Sequence, residues 1–564
     1  MFSYIYNKAT VLLKRIFPEI ARCNLIITAN IYIIFDYIAE RGDEMKRLTV
    51  HGPGKTVREY DFDGTVRVSD ALFKLSAGFS MPCGGKGRCG LCKARVTGDV
   101  FPPREQERRL LSEKELQAGL RLCCFAEAFG DCEIFLPDAE EVSVVIRGRM
   151  PEYSLDPLFE GEYGAAVDIG TTTLALSLFN LKSGKALAAE RAKNAQAAFG
   201  ADVISRITFS NEHGVAPVRD AIRNQLDSLL KRLCEKAGIS CSTLSGAVVT
   251  GNTAMLHYLA GLDPEGIAHA PFLPQSLFGV FSDASDLGLC ISGRVYLPRA
   301  VSAYIGADIV CGALACSMQG GGKRRLLIDI GTNGEMLLTS GEETLCCSAA
   351  AGPAFEGAGI SCGMLALPGA IDRVWDEGDD IRVSTVGGKA PAGVCGTGLI
   401  DALAFMLRRG VIDDSGRIRR TGHPFERLVS EDGRGRFFKL CGDEIVLTQQ
   451  DIRQLQLTKA AIAAGIDALL HACGVSASDL HEVIVAGGFG NYIDFDNAEA
   501  VGLFPKGLAG RITAAGNTAL SGASLMLLSG KTADLAGRVF DGARELLLSQ
   551  DEFFKERYIE RMMF

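Results

Sequence analysis

The sequence predicts an α/β protein of several domains: a small strand-rich module carrying a cysteine loop, then a larger domain of two lobes. Three observations predict it. The chain has 564 residues, more than one ordinary core supports. Its 65 glycines beside a single tryptophan suit strands joined to helices by tight turns. One strand-and-turn phrase also occurs twice, as AAVDIGTTT at 165–173 and LLIDIGTNG at 326–334.

Composition bounds the function classes. A net charge of −9, with no basic stripe interleaved with aromatics, speaks against nucleic acid or an anionic membrane as the main partner. The apolar run at 25–35 is broken by Asn30 and bounded by Asn24 and Asp36. It falls short of the ~18–20 apolar residues a spanning helix needs. Basic residues precede it as in a signal peptide, but no A-x-A-like site follows. Glu40-Arg41-Gly42 can be encoded by a purine-rich stretch of ribosome-binding type just before Met45. Residues 1–44 are therefore expected to be an extension with a mis-assigned start, the native chain beginning at Met45 in the cytoplasm. Eighteen cysteines in so long a chain do not read as a disulfide framework. Cys234, Cys311, Cys316, Cys346, Cys347 and Cys473 read as small buried hydrophobes.

From Arg47 onward short strands are expected, Leu48–Val50 and then Lys55–Asp61, alternating around Val57 and Tyr60. Gly64 turns the chain, and Val68–Leu75 has helical spacing. A Gly- and Cys-rich loop at 83–92 leads into strand Lys93–Val96, a charged helix over Glu105–Leu120, and strand Cys132–Leu136 stopping at Pro137. Residues 45–137 make the first domain, and the acidic 138–162 read as a linker. The two repeats then open lobe I (163–322) and lobe II (323–564, with C-terminal helices), each as a β-hairpin, with a cleft between lobes. In lobe II, Thr448 and Asp451 cap a helix whose apolar face carries Ile452, Leu455, Ile462, Ile466 and Leu469. Gly474 ends it, and strand Glu482–Ala486 runs into Gly487-Gly488.

Cys83, Cys89 and Cys92 are spaced C-x5-C-x2-C among glycines, and Cys123-Cys124 follows further on. Three thiolates in such a loop with a distant fourth is the ligand logic of a [2Fe–2S] cluster. Cluster sulfides accept backbone N–H bonds, and glycine lets the chain wrap closely. The x5 spacing departs from the plant-type x4. A zinc site would call for paired C-x2-C units, and only one is present. On spacing alone either Cys123 or Cys124 can be the fourth ligand, with Cys132 as the outsider.

A strand ending in Asp-Ile-Gly-Thr-Thr-Thr presents amides and hydroxyls in one turn. Gly170 allows close approach, Thr171, Thr172 and Thr173 can donate to phosphate oxygens, and Asp168 can hold Mg2+ through water. One such string is a weak signal. It recurs as Asp329, Gly331, Thr332 and Asn333, and the Gly487-Gly488 turn leaves room for adenosine. Two opposed loops gripping the phosphates of ATP are expected. No G-x-G-x-x-G opens a helix at either place, as a dinucleotide fold requires.

In these elements the chain resembles the acetate and sugar kinase/Hsp70/actin superfamily. More narrowly, it is similar to the reductive activators of corrinoid proteins, which join a [2Fe–2S] domain to such an ATPase. The likeness covers about residues 46–530, through strings such as PCGGKGRCGLC (82–92), RLCCF (121–125) and NAQAAFGADVISRI (194–207). It continues in GNTAMLHYLAGL (251–262), AAGPAFEGAGI (350–360), GVCGTGLIDA (393–402) and VIVAGGFGNYID (483–494). The resemblance implies a β-grasp-like ferredoxin domain followed by a two-lobed, actin-like (ribonuclease H-like) ATPase domain. It implies Cys124 as the fourth ligand, because the family has Ala where Cys123 stands. It adds Gly396 to the nucleotide contacts, and gives Asp168 and Asp329 the catalytic work of positioning Mg2+ and the attacking water. Glu335 and Glu356 are weaker candidates at the cleft, Glu356 reading equally as part of a capped turn in AGPAFEGAG; Asn252 and His257 serve either packing or partner contact. Two departures stand out. Phe125 replaces the usual Gln, and the short segment between modules implies that an additional middle domain is missing.

The implied activity returns an inactive Co(II) corrinoid methyl carrier to Co(I). The implied partners are a corrinoid protein of a methyltransferase system and an upstream electron donor, and a homodimer is an allowed assembly. Competing readings are an ATP-driven electron injector for another low-potential enzyme, a redox-gated small-molecule kinase, and a ferredoxin fused to a nucleotide-sensing scaffold.

Overall fold

The computed structural model describes residues 45–52, 56–75, 92–136, 148–319, 322–341, 343–378, 380–433, 435–490 and 492–564. The expected extension 1–44 lies outside the described residues, as do Cys83 and Cys89. The chain divides into two compact units, whose described residues are 45–136 and 148–564.

In the first unit β1 (Lys46–Gly52) pairs antiparallel with β2 (Thr56–Phe62) and parallel with β6 (Glu127–Phe135). Strand β6 also pairs with β3 (Val66–Arg67) and with β4 (Lys93–Val100), and β5 (Leu120–Leu122) forms the far edge. The helix Val68–Lys74 follows β3 and buries Val68, Ala71 and Leu72, completing a β-grasp order. Strand β6 begins earlier than the expected Cys132. Its inward positions are Ala128, Gly130, Cys132 and Ile134, too small at the start to register as an apolar alternation. The charged helix expected over Glu105–Leu120 is two short ones, Glu105–Leu110 and Glu113–Gln117. Ser112 splits them by capping the second: its hydroxyl accepts from Glu115 N–H, and the Glu115 carboxylate accepts from Ser112 N–H at 2.7 Å.

The second unit repeats one topology. In lobe I, β7 (Tyr163–Ile169) forms a hairpin with β8 (Thr173–Asn180), β9 (Lys185–Lys193) extends it, and β10 (Leu244–Gly251) lies parallel on the other side of β7. β12 (Arg294–Leu297) and β11 (Val280–Asp283) complete that sheet. In lobe II, β13 (Arg325–Ile330), β14 (Gly334–Ser340) and β15 (Glu343–Ala349) make the matching meander. β16 (Glu482–Ala486) lies parallel to β13, as β10 does to β7, and β17 (Ile512–Gly516) follows it.

The helices Ala307–Ala315 and Thr518–Leu528 pack against each other within a core that takes residues from both sheets, among them Ala166 and Val248 from one and Leu327 and Ile484 from the other. Their approach is close: a Cβ at Gly522 would stand 2.0 Å from the Cys311 carbonyl. A second core, in lobe II, gathers on the helix Gln449–Ala472, which starts from the Thr448–Asp451 capping box and is followed by Gly474 at φ +62°.

The stretch 148–162, read as linker, is tied down. Arg149 N–H donates to Ala515 O at 2.7 Å, and Asp156 and Leu158 N–H donate to Leu528 and Leu527 carbonyls at 3.0 Å. Single bridges of this kind leave no periodic trace in sequence. Cys234, Cys311, Cys316, Cys346 and Cys347 are buried and Cys473 partly so. Cys241 and Cys290 are joined as a disulfide, which their spacing does not announce. Among the described residues no helix is long and apolar enough to cross a membrane.

Candidate cluster site and nucleotide cleft

In the first unit Cys92, at the foot of β4, and Cys124, just past β5, bring their Sγ atoms to 3.3 Å, and both are buried. Two thiolates on one tetrahedral metal with ~2.3 Å bonds sit ~3.8 Å apart, so this pair suits one iron. Cys123 is held differently. Its N–H donates to Cys92 O at 2.9 Å and its carbonyl accepts from Ser69 N–H at 3.0 Å. Its thiol is wholly buried, and burial, then the neighbouring Cys92, pushes it well above the ordinary thiol range. Burial likewise pushes Cys132, on β6, up to about 12. An internal ion pair supports the Cys124 segment. Arg121 donates twice to Glu107 at 2.8 Å, and Leu122 N–H donates to the same carboxylate at 2.8 Å. Both side chains are buried.

In lobe I the hairpin turn between β7 and β8 is Gly170–Thr172, closed by Gly170 N–H donating to Thr173 O at 2.9 Å. Three side chains brace it from outside. Asn194 Nδ2 donates to Gly170 O at 2.8 Å, the buried Arg206 donates to Thr171 O at 2.6 Å, and Asn252 Nδ2 donates to Thr171 Oγ1 at 3.0 Å. Asn252 also caps the helix Thr253–Ala260, so the β10 end and the turn are set together. His257 faces the packing instead: it is fully buried, contacts Thr253 O at 2.7 Å and meets the Phe278 ring edge-on.

In lobe II the equivalent turn has Gly331 N–H donating to Asn333 O at 2.9 Å. Thr332 is tied to the next segment through its carbonyl, which accepts from Gly352 N–H at 2.9 Å. The two turns then meet at one side chain. Thr172 and Thr332 hydroxyls donate to the same oxygen of Glu356, at 3.2 Å and 3.3 Å. Gly487 sits at φ +84° with Asp329 Oδ1 only 2.8 Å from where a Cβ would be, so a side chain there is excluded twice over. Gly396 starts a helix under the Phe355 carbonyl, and Phe355 stacks on Phe489, which follows Gly488.

Four carboxylates near these turns, Asp168, Asp308, Asp329 and Glu335, act on one another electrostatically. Desolvation, against an Asn517 hydrogen bond of 2.9 Å and with the Asp329 charge, pushes Asp168 up to about 7; desolvation alone pushes Asp329 up to about 6. Asp308, in the first turn of the helix Ala307–Ala315, is raised by desolvation and then by Asp168 and Asp329. Glu335 is raised by desolvation and then by Asp308. Mutual repulsion of this kind is relieved by a divalent cation. Among the described residues no three His, Cys, Asp or Glu side chains close around a metal. Asp308 and Arg206 escape sequence reasoning. An Asp in a helix's first turn reads as a dipole partner, and an Arg three residues after Val203 reads as a solvated face.

Residues 53–128 match the model of the 2Fe–2S iron–sulfur cluster binding domain, 163–321 that of the RACo middle region, and 323–564 that of the C-terminal domain of RACo, the ASKHA domain. The corrinoid activation enzyme RamQ of Eubacterium limosum is 31% identical over 581 residues, covering 90% of this chain and 97% of that one. The chain belongs to the RACo family. A solved structure titled as a reductive activator for corrinoid, iron-sulfur protein matches with a TM-score of 0.67 at 29% identity, over 92% of this chain and 98% of that one. The [Co(II) methylated amine-specific corrinoid protein] reductase of Methanosarcina barkeri is 27% identical over 434 residues, 70% of this chain and 76% of its own. The RACo middle region coincides with what the sequence reads as lobe I.

Proposed function

We propose that this RACo-family chain is an ATP-dependent reductive activator that passes one electron to a Co(II) corrinoid protein and so regenerates Co(I). The observation that carries the reading is the union, in one chain similar to corrinoid activators, of a cysteine pair fit for one iron and a two-lobed grip of phosphate-loop type. Cys83, Cys89, Cys92 and Cys124 hold the [2Fe–2S] cluster in this reading. When bound, the cluster supplies a one-electron carrier near ~−400 mV. Glu107 and Arg121 hold the Cys124 segment in register with Cys92.

In the second unit Thr171, Thr172, Thr173, Thr332 and Asn333 bind the phosphates of ATP, and Gly396, Gly487 and Gly488 border the adenosine. Asp168 and Asp329, joined by Asp308, would hold Mg2+, which would supply positive charge to the phosphates, and they align the attacking water. ATP is needed because each ~59 mV of unfavourable one-electron gap is tenfold in equilibrium. Lobe closure on ATP offers a two-state element that favours a complex in which Co(II) is easier to reduce. The electron arrives from an upstream donor and leaves to cobalt, one for one.

The test mixes the reduced full chain with a Co(II) corrinoid protein, with and without ATP, and follows the Co(I) absorbance. Its growth with ATP is expected; a signal indifferent to ATP overturns the reading.

A further inference from the structure

Among the described residues, Glu356 is the one side chain that accepts a hydrogen bond from both phosphate turns. It ends the single helical turn Pro353–Glu356, whose backbone is fixed on either side. Gly352 N–H donates to Thr332 O, and Gly357, at φ +80°, lies where a Cβ would stand 2.4 Å from Met364 N. Glu356 therefore belongs to lobe II, yet its Oε2 accepts from Thr172 of lobe I as well as from Thr332 of its own lobe. Its other oxygen lies 3.9 Å from where a Gly331 Cβ would be. Desolvation raises the carboxyl, opposed by the Thr172 and Thr332 hydrogen bonds and then by the Arg206 guanidinium behind the lobe I turn.

Two hydroxyls from opposed phosphate turns, converging on one anionic oxygen, are the donors a terminal phosphate would need. A triphosphate and the Glu356 carboxylate are both anions, and they cannot share these donors without mutual repulsion. We propose that Glu356 is an anionic clasp between the lobes, which the γ-phosphate of a nucleoside triphosphate must displace. The clasp sets the preference between tri- and diphosphate: a diphosphate binds without meeting it, and a triphosphate binds only by opening it. After hydrolysis and phosphate release the carboxylate recovers both hydroxyls, which favours return to the starting arrangement. This inference rests on the nucleotide reading above and extends it to the step that distinguishes ATP from ADP.

The test measures the affinities of ADP and of the β,γ-imido analogue of ATP for the full chain, for Glu356→Gln and for Glu356→Ala. Gln keeps the shape and an accepting oxygen but not the charge. The expected result is at least about tenfold tighter binding of the triphosphate analogue in both variants, with ADP affinity within about twofold of wild type. Retained ADP binding also certifies that each variant is folded. An unchanged triphosphate-to-diphosphate ratio overturns the clasp, as does weaker triphosphate binding. Unchanged affinities with hydrolysis abolished also overturn it, assigning Glu356 to catalysis instead. Failure of the wild-type chain and both variants to bind either nucleotide refutes the nucleotide reading itself, a separate result.

Discussion

Glu107 and Arg121 are a buried ion pair whose value is felt mainly when one partner goes. Glu107→Ala leaves a guanidinium inside the first unit without its carboxylate and frees Leu122 N–H. The expected cost is ~3–5 kcal/mol, read as a lower unfolding midpoint and faster loss of cluster absorbance. For the cluster ligands, Cys124→Ser is expected to abolish the [2Fe–2S] spectrum, while Cys123→Ala keeps it at a small cost in stability. In the cleft, Asp168→Asn preserves the size that packs beside Asn517 but not the charge, and ATP turnover should fall at least ~100-fold. At this scale spacing is eloquent for cysteines, whose role is declared locally, but it leaves Cys123 and Cys124 equal; in the structure Cys124 Sγ lies 3.3 Å from Cys92 Sγ, while Cys123 is held through its backbone. Asp308 and Arg206 were illegible because their roles depend on elements far away in sequence.

Among the elements, the helix Gln449–Ala472 was the most legible, since cap, face and stop lie within its own residues. Thr448→Ala should destabilise the second unit by ~1 kcal/mol, measured by denaturant unfolding. The same helix holds a buried cation. Lys459 donates to Met563 O, lies 4.9 Å over the Phe564 ring, and burial lowers it to about 8 from 10.5. The unfolded chain therefore keeps a proton that the folded chain releases between pH 8 and 10.5. Burying the ammonium costs most below pH 8, and stability is recovered as pH rises through that window. Lys459→Met should flatten the dependence of the urea midpoint between pH 8 and 10. The Glu105–Leu120 region was misread for the opposite reason. Its charges suit a helix throughout, and only the Ser112–Glu115 box breaks it.

Across the whole second unit, the duplicated turn phrase made the two-lobed plan legible, because each copy is one strand and one turn long. The helix that joins the lobes' packing was not. Thr518–Leu528 is buried along its entire length, so it shows no polar face and no direction. Gly522→Ala should force the helix pair apart, costing ~1–3 kcal/mol and lowering ATP turnover through poorer lobe registration.

That helix has a consequence for how the protein is made. It packs on β7 and β10, which leave the ribosome long before it does. At ~5–20 residues per second, the strand ending at Gly251 waits roughly tens of seconds for its cover. During that interval the part of the lobe I sheet that this helix covers stays exposed, and the nascent chain offers apolar surface to any chaperone or neighbouring chain. Synthesis rate and chaperone supply, rather than final stability, should therefore decide the soluble yield. Translation stalled between residues 251 and 518 is where aggregates are expected to form.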